Sequence, residues 1–188
     1  MERIILASKS PRRRQLLEWA EIPYDVLVKD TDEMYPASLP LNEIPVYIAR
    51  NKALAVKEEL NHDRLILAAD TIVVLGDKVI GKPANRNDAL KILQSLSGQK
   101  HMVITGVVLM QGDEESSFAD VTEVEFHKLS TQQVEYYVDH YQPYDKAGAY
   151  AIQEWIGVVG IKKVSGDFYN VMGLPVSRVV RALRQFET

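Results

Sequence analysis

The chain contains no cysteine among its 188 residues, which excludes disulfides and thiolate chemistry and fits a cytosolic protein. No apolar run approaches the roughly 20 residues needed to cross a bilayer as a helix. The N-terminus lacks a secretory signal pattern, and a membrane partner is not expected. Neither the phosphate-loop nor the dinucleotide-binding glycine motif is present. The four histidines show no metal-ligand spacing, which argues against zinc. A basic excess is also missing: the net charge of -4 disfavours a general nucleic-acid binder. Any phosphate must then be bound by a local basic cluster in an acidic protein, and that pattern favours a small ligand.

What remains is ordinary for a globular protein, with 46% hydrophobic residues. The length suits one sizeable domain or a compact core with a lobe inserted. No repeat, low-complexity segment or linker divides it, so a single domain over residues 1–188 is expected. Strand-like runs alternate with helical patterns, giving an α/β or α+β class. Strands are expected at Ile4–Ala7 and Tyr24–Val28; Leu65–Leu75 is an apolar run split by Asp70-Thr71, which puts Asp70 at the end of a buried strand, and Gly76-Asp77 then turns into Lys78–Ile80. A helix over Asn42–Leu60 would bury Val46, Ala49, Ala53, Val56 and Leu60. Another over Asp88–Leu96 would end at a left-handed Gly98. Met102–Met110 and Phe118–Phe126 read as a long hairpin. Ser130 with Gln133 forms a capping box for a following helix. A strand over Val158–Val164 and a helix over Pro175–Phe186 complete the pattern. Lys29–Leu41 is polar, punctuated by proline, and expected to be a flexible loop.

The densest signal is Ser8-Lys9-Ser10-Pro11-Arg12-Arg13-Arg14, between the first strand and the first helix. Ser10 suits the cap position and Pro11 the first helical position, where its missing N–H costs nothing. Three arginines in the first turn oppose the helix dipole, unless an anion sits there to reverse the sign. Serine hydroxyls and guanidinium forks both favour phosphate oxygens. Arg13 shares the side of Leu16, Leu17 and Ala20, and Arg12 flanks it, so these two are favoured for a site. Arg14 is explained by a surface pair with Glu18.

Asp70 breaks the apolar run from Leu65 to Leu75. A carboxylate there is costly unless something compensates it, so it is a candidate metal ligand or general base, or else a turn-capping residue. Lys52 has only Ile48, Ala49, Ala55 and Val56 as helical neighbours, so it either snorkels outward or lines a site. Lys82, after Gly81, either reaches a phosphate or decorates a turn. Glu33 is a second carboxylate candidate in an otherwise solvated acidic loop. His101 and His127 sit near strand ends, where core or surface roles are the default.

Ser8-Lys9-Ser10-Pro11-Arg12-Arg13, Ala69-Asp70-Thr71, Gly81-Lys82-Pro83, Leu96-Ser97-Gly98, Asp145-Lys146-Ala147-Gly148-Ala149-Tyr150 and Gly173-Leu174-Pro175 together resemble Maf-type nucleotide pyrophosphatases, nearly end to end and in order. The resemblance implies an inosine-triphosphatase-like α/β fold, with an elongated mixed central sheet, flanking helices and a cleft between two lobes. It implies hydrolysis of a nucleoside triphosphate to monophosphate and pyrophosphate with a divalent cation, Mg²⁺ or Mn²⁺. The family's catalytic aspartate matches Asp70, its basic positions match Arg13, Lys52 and Lys82, and its acidic loop partner matches Glu33. Asp70 and Glu33 are then the candidate metal ligands, and Ser8 belongs to the substrate-binding loop. Arg12, Thr71 and Gln153 match positions that mark members preferring dTTP and UTP. A sister group preferring 7-methyl-GTP typically has glutamine where Thr71 stands. Glu154-Trp155-Ile156 departs from relatives that often have glycine nearby. The family is linked to inhibition of septum formation, and relatives suggest a homodimer. The resemblance therefore points to a cytoplasmic dTTP/UTP pyrophosphatase that acts on normal or modified pyrimidine nucleotides. The alternative is a nucleotide-binding division regulator without essential turnover.

Overall fold

A computed structural model of the chain describes residues 2–60 and 62–186. Two compact units make up the chain: Met1–Asp70 with Thr105–Asp120 and Gly173–Thr188, and Thr71–Ile104 with Val121–Met172. One mixed sheet runs in the order β2-β1-β3-β5-β6-β7, with β4 paired to β3; its strands are β1 (Ile4–Leu6), β2 (Tyr24–Val26), β3 (Ile66–Leu75), β4 (Lys78–Ile80), β5 (Lys100–Gln111), β6 (Glu114–Phe126) and β7 (Ile161–Ser165). β1 pairs parallel with β2 and β3, whereas β3–β4 and β6–β7 are antiparallel. This is the mixed sheet with flanking helices that the family resemblance implies, within the α/β class read from the residues.

In the first unit, α1 (Pro11–Trp19) starts as its residues dictate. Pro11 opens the helix, and the Ser10 hydroxyl accepts from the Arg13 backbone N–H at 3.5 Å. The pair expected between Arg14 and Glu18 does not form. Arg14 donates to the Lys9 carbonyl at 3.2 Å, while Glu18 accepts from the Tyr24 hydroxyl at 2.8 Å. A backbone carbonyl one turn back is a closer partner than a carboxylate in the unfavourable i,i+4 order.

The helix α2 (Ile44–Lys57) lays Ala49, Ala53 and Val56 on Ile5, Ala7, Ile66, Ala68, Val108 and Met110, with Val46 and Leu60 at the margin. These five are the stripe expected from the periodicity. Its first turn sits directly on β5. A Cβ at Gly106 would lie 2.2 Å from the Val46 backbone nitrogen, so only glycine allows this approach. The contact fixes the height of α2 over the sheet, and with it the position of Lys52 two turns on.

The second unit holds α3 (Arg86–Leu96), α4 (Thr131–Tyr141), α5 (Trp155–Gly160) and α6 (Phe168–Met172). Asn85 caps α3 by accepting from the Asp88 N–H, and Gly98 after it takes φ +69°. The Ser130–Gln133 capping box is present in both directions on α4. The strand expected over Val158–Val164 is corrected: Trp155–Gly160 is helical, and the strand covers only Ile161–Ser165. The helix buries Ile156 and Gly160, four apart, and leaves Val158 at the surface. Gly157 is the local cause, because a Cβ there would fall 1.7 Å from the Ile152 carbonyl oxygen. The helix α7 (Val176–Leu183), in the first unit, ends in a 3₁₀ turn through Phe186, as expected.

Behind the second unit's sheet, His101, Phe126 and Tyr150 pack ring on ring, with His101 Nε2 2.7 Å from the Tyr150 hydroxyl oxygen. Burial pushes the His101 pKa down to about 4. The native state therefore binds fewer protons at this residue than the unfolded chain, whose histidine titrates near 6.5. Stability contributed by the neutral ring is complete above pH 6.5 and is lost as pH falls toward 4, by on the order of 3 kcal/mol. Urea titrations of wild type and His101→Phe at pH 7 and pH 4 check this. The wild type should lose more stability than the variant, and equal losses would contradict it.

Candidate active site

Asp70 does not end a strand, as its place between two apolar runs first implies. It lies inside β3, which continues unbroken to Leu75, and its pair with Thr71 forms the half-buried break in an otherwise buried strand. The strand survives because the carboxylate is compensated. Lys52 Nζ, from α2, donates to Asp70 Oδ1 at 2.7 Å and to Glu33 Oε1 at 2.9 Å. The Lys52 and Asp70 side chains are only 18% and 13% exposed, so this pair is screened far less than a surface bridge. Lys52 thus turns its ammonium to Asp70 and Glu33 and does not snorkel outward. Its apolar helical neighbours leave the ammonium one polar direction, toward the carboxylates.

Glu33 reaches Lys52 from the Lys29–Leu41 segment, whose residues from Asp32 to Ser38 are all exposed. That segment is not simply solvated. Besides Glu33, it offers Asp30 to Lys9 at 2.9 Å and Lys29 to Glu59 at 2.7 Å.

Arg13 is the buried cation of the same unit. The apolar side of α1 carries it inward, where its Nη1 donates to Ser8 Oγ at 3.1 Å and its Nε to the Gly173 carbonyl at 2.8 Å. Ser8, itself buried, also accepts from the Ser10 N–H at 3.2 Å. One guanidinium therefore ties the loop after β1 to the entry of α7. Burial lowers the Arg13 pKa, the charges of Asp70 and Glu33 raise it, and Arg12 opposes them. The electrostatic neighbourhood of Arg13 thus includes both carboxylates. Arg12 is half-buried at the first turn of α1.

The structure brings together Ser8, Arg13, Glu33, Lys52 and Asp70 in the first unit, with Arg12 beside them on α1. Thr71, Lys82 and Gln153 belong to the second unit. Thr71 follows Asp70 in β3. Lys82 is exposed after β4, where the preceding Gly81 carbonyl accepts from the Gly148 N–H at 3.1 Å. Gln153 is exposed in the turn before α5. Among the described residues, no three or more histidine, aspartate or glutamate side chains gather as a metal cluster. The donors at hand are two carboxylates converging on one ammonium. Hard oxygens of this kind suit Mg²⁺ or Mn²⁺, which commonly take one or two carboxylates and complete their shell with phosphate and water.

Sequence reasoning missed the Gly173 carbonyl as the partner of Arg13. The two lie 160 positions apart. Gly173-Leu174-Pro175 stood out only as part of the family pattern.

A mixed-sheet α/β protein whose polar centre sets two cations against two carboxylates is the class that the fold and this geometry define. Residues 3–186 match the model of the Maf-like protein family, and the chain belongs to that family. It is 50% identical to a dTTP/UTP pyrophosphatase of Parabacteroides distasonis, over 98% of this chain and 96% of that protein. Proteins of the same name from Cytophaga hutchinsonii and Bacteroides fragilis are 52% and 48% identical, over 97% of this chain and 83% and 95% of theirs. Among solved structures, a HAM1 protein from Coxiella burnetii superposes with a TM-score of 0.44 at 19% identity, covering 67% of this chain and 73% of that one. No helix among the described residues is long and apolar enough to cross a membrane.

Proposed function

We propose that the chain is a nucleoside triphosphate pyrophosphatase that converts dTTP and UTP, or modified pyrimidine nucleotides, to the monophosphate and pyrophosphate. The observation that carries this reading is Lys52 held between Asp70 and Glu33, in a chain sharing about half its residues with relatives of that name. The reaction adds water across the bond between the α- and β-phosphates. One water oxygen bonds to phosphorus, the bridging oxygen leaves with pyrophosphate, and the water's proton needs an acceptor.

Asp70 is suited to orient the water and accept that proton, being fixed by the Lys52 ammonium at hydrogen-bond distance. Lys52 offers charge to the phosphates as well as to Asp70, and Arg13, Arg12, Lys82 and the Ser8 loop add cationic and hydrogen-bonding partners. A divalent cation held by Asp70, Glu33 and the substrate's own phosphate oxygens would supply further charge neutralisation. Gln153 carries both a donor and an acceptor for a pyrimidine edge, and Thr71 is short enough to admit the base.

The test is pyrophosphate release from dTTP, UTP, ATP, GTP and 7-methyl-GTP, with and without Mg²⁺ or Mn²⁺. Turnover of dTTP and UTP above the purine nucleotides, abolished by chelator, is the expected result. Product from 7-methyl-GTP or ATP but not from dTTP or UTP would defeat the specificity, and full activity in chelator would defeat the metal requirement.

A further inference from the structure

Next to Gln153 lies a polar network that the hydrolytic reading does not use. The Tyr137 side chain is fully buried on α4, and its hydroxyl faces both ends of the Ala151–Glu154 turn. It accepts from the Ala151 N–H at 3.1 Å and donates to Glu154 Oε2. Glu154 Oε1 lies 3.6 Å from Lys146 Nζ, which also meets Asp145 Oδ1 at 2.8 Å and is almost buried. Gly157 presses on the Ile152 carbonyl in the space a Cβ would fill, and its N–H donates to the Glu154 carbonyl at 2.9 Å. All of these residues belong to the second unit. The turn is therefore gripped on both sides of Gln153, while the Gln153 side chain stands exposed. A turn whose only function was to connect would not need the hydroxyl of a fully buried tyrosine at both its ends, a group costly to desolvate.

We infer that Tyr137 and Glu154 are positioning residues for Gln153, setting the direction in which it presents its amide to the nucleotide base. The inference rests on the assignment of Gln153 to base recognition. It also gives a role to Glu154. Because Tyr137 touches the turn at both ends, removing one oxygen atom takes a hydrogen bond from the Ala151 N–H and another from the Glu154 carboxylate together. Gln153 then samples several directions, and substrate binding weakens while the reacting phosphates are held as before.

The experiment compares the full-length wild type with Tyr137→Phe, Glu154→Ala, Glu154→Gln and Gln153→Ala. Tyr137→Phe and Glu154→Ala are expected to raise KM for dTTP and UTP at least about tenfold, the worth of one of these hydrogen bonds. Both should leave kcat and the inhibition constant of inorganic pyrophosphate within about threefold of wild type. Glu154→Gln still accepts from the Tyr137 hydroxyl and should restore the wild-type KM. Hydrogen exchange of the Ala151–Trp155 backbone should quicken about tenfold in Tyr137→Phe and Glu154→Ala, and not in Glu154→Gln. The inference is overturned if Gln153→Ala raises KM while Tyr137→Phe and Glu154→Ala do not, if Glu154→Gln behaves like Glu154→Ala, or if exchange in the turn is unchanged. Absence of dTTP and UTP turnover in the wild type would sink the functional reading instead, and hydrogen exchange would still decide whether the network holds the turn.

Discussion

Asp70→Asn should lower pyrophosphate release by about a thousandfold while leaving the fold intact, because a positioned general base contributes roughly 10²–10⁴ in rate. The substitution is nearly isosteric, so β3 keeps its register and the Asn oxygen can still accept from Lys52. The missing function is the basic oxygen that takes the water's proton and would bind the cation. Lys52 retains Glu33 as a second carboxylate partner at 2.9 Å, so the loss of one charge does not leave the ammonium bare. Stability should change by about 1 kcal/mol or less, since Lys52 and Glu33 still pair in partly solvated surroundings. Pyrophosphate release and thermal melting, measured on the same preparation, separate the two effects. Activity within tenfold of wild type would remove Asp70 from the chemistry.

Arg13→Met is expected to damage both stability and activity, and its size follows from what the guanidinium holds. Removing it takes one charge-assisted donor from the Ser8 hydroxyl, which keeps the Ser10 N–H, and one from the Gly173 carbonyl, at about 1.5–3 kcal/mol for each such hydrogen bond lost. Relief of the guanidinium's own desolvation, the leading influence on its pKa, offsets part of that. A net loss of about 2 kcal/mol is expected by urea titration, from the balance between these lost hydrogen bonds and the relieved desolvation. Pyrophosphate release should fall at least about a hundredfold, as for loss of one charged donor to a transition state. Arg13→Lys discriminates charge from shape. An ammonium keeps the sign but cannot span Ser8 Oγ and the Gly173 carbonyl as a planar fork does. It should recover little of either quantity, and full recovery by lysine would show that charge alone matters.

Local chemistry made much of this fold readable. Ser10 and Pro11 announce the start of α1, Ser130 and Gln133 that of α4, and the apolar stripe of α2 is the one expected from its spacing. Part of the polar centre was legible in the same way. An aspartate breaking a buried run, and a lysine with only apolar neighbours, were each flagged by being out of place, and the structure joins them at 2.7 Å. What could not be read depends on contacts between distant positions. Val158-Val159 has strand-like composition, yet the segment is helical because Gly157 packs on the Ile152 carbonyl, an approach that propensity does not encode. The Arg13–Gly173 bond spans most of the chain and has no local spacing to betray it. Likewise, no sequence pattern tells that one tyrosine hydroxyl closes both ends of the Gln153 turn.

The Lys29–Leu41 segment brings Glu33 to Lys52 without burying any residue from Asp32 to Ser38. Its tethers at Asp30 and Glu33 are ionic, and the first of them is almost fully in water. Such a hold weakens with ionic strength, since the screening length shrinks from about 8 Å at physiological salt to about 3 Å at 1 M. The Lys52–Asp70 pair, shielded inside the sheet, does not share that sensitivity. The centre thus has one carboxylate fixed by the fold and one delivered by a salt-dependent arm, and the apparent affinity of the second is set by the solution as much as by the protein.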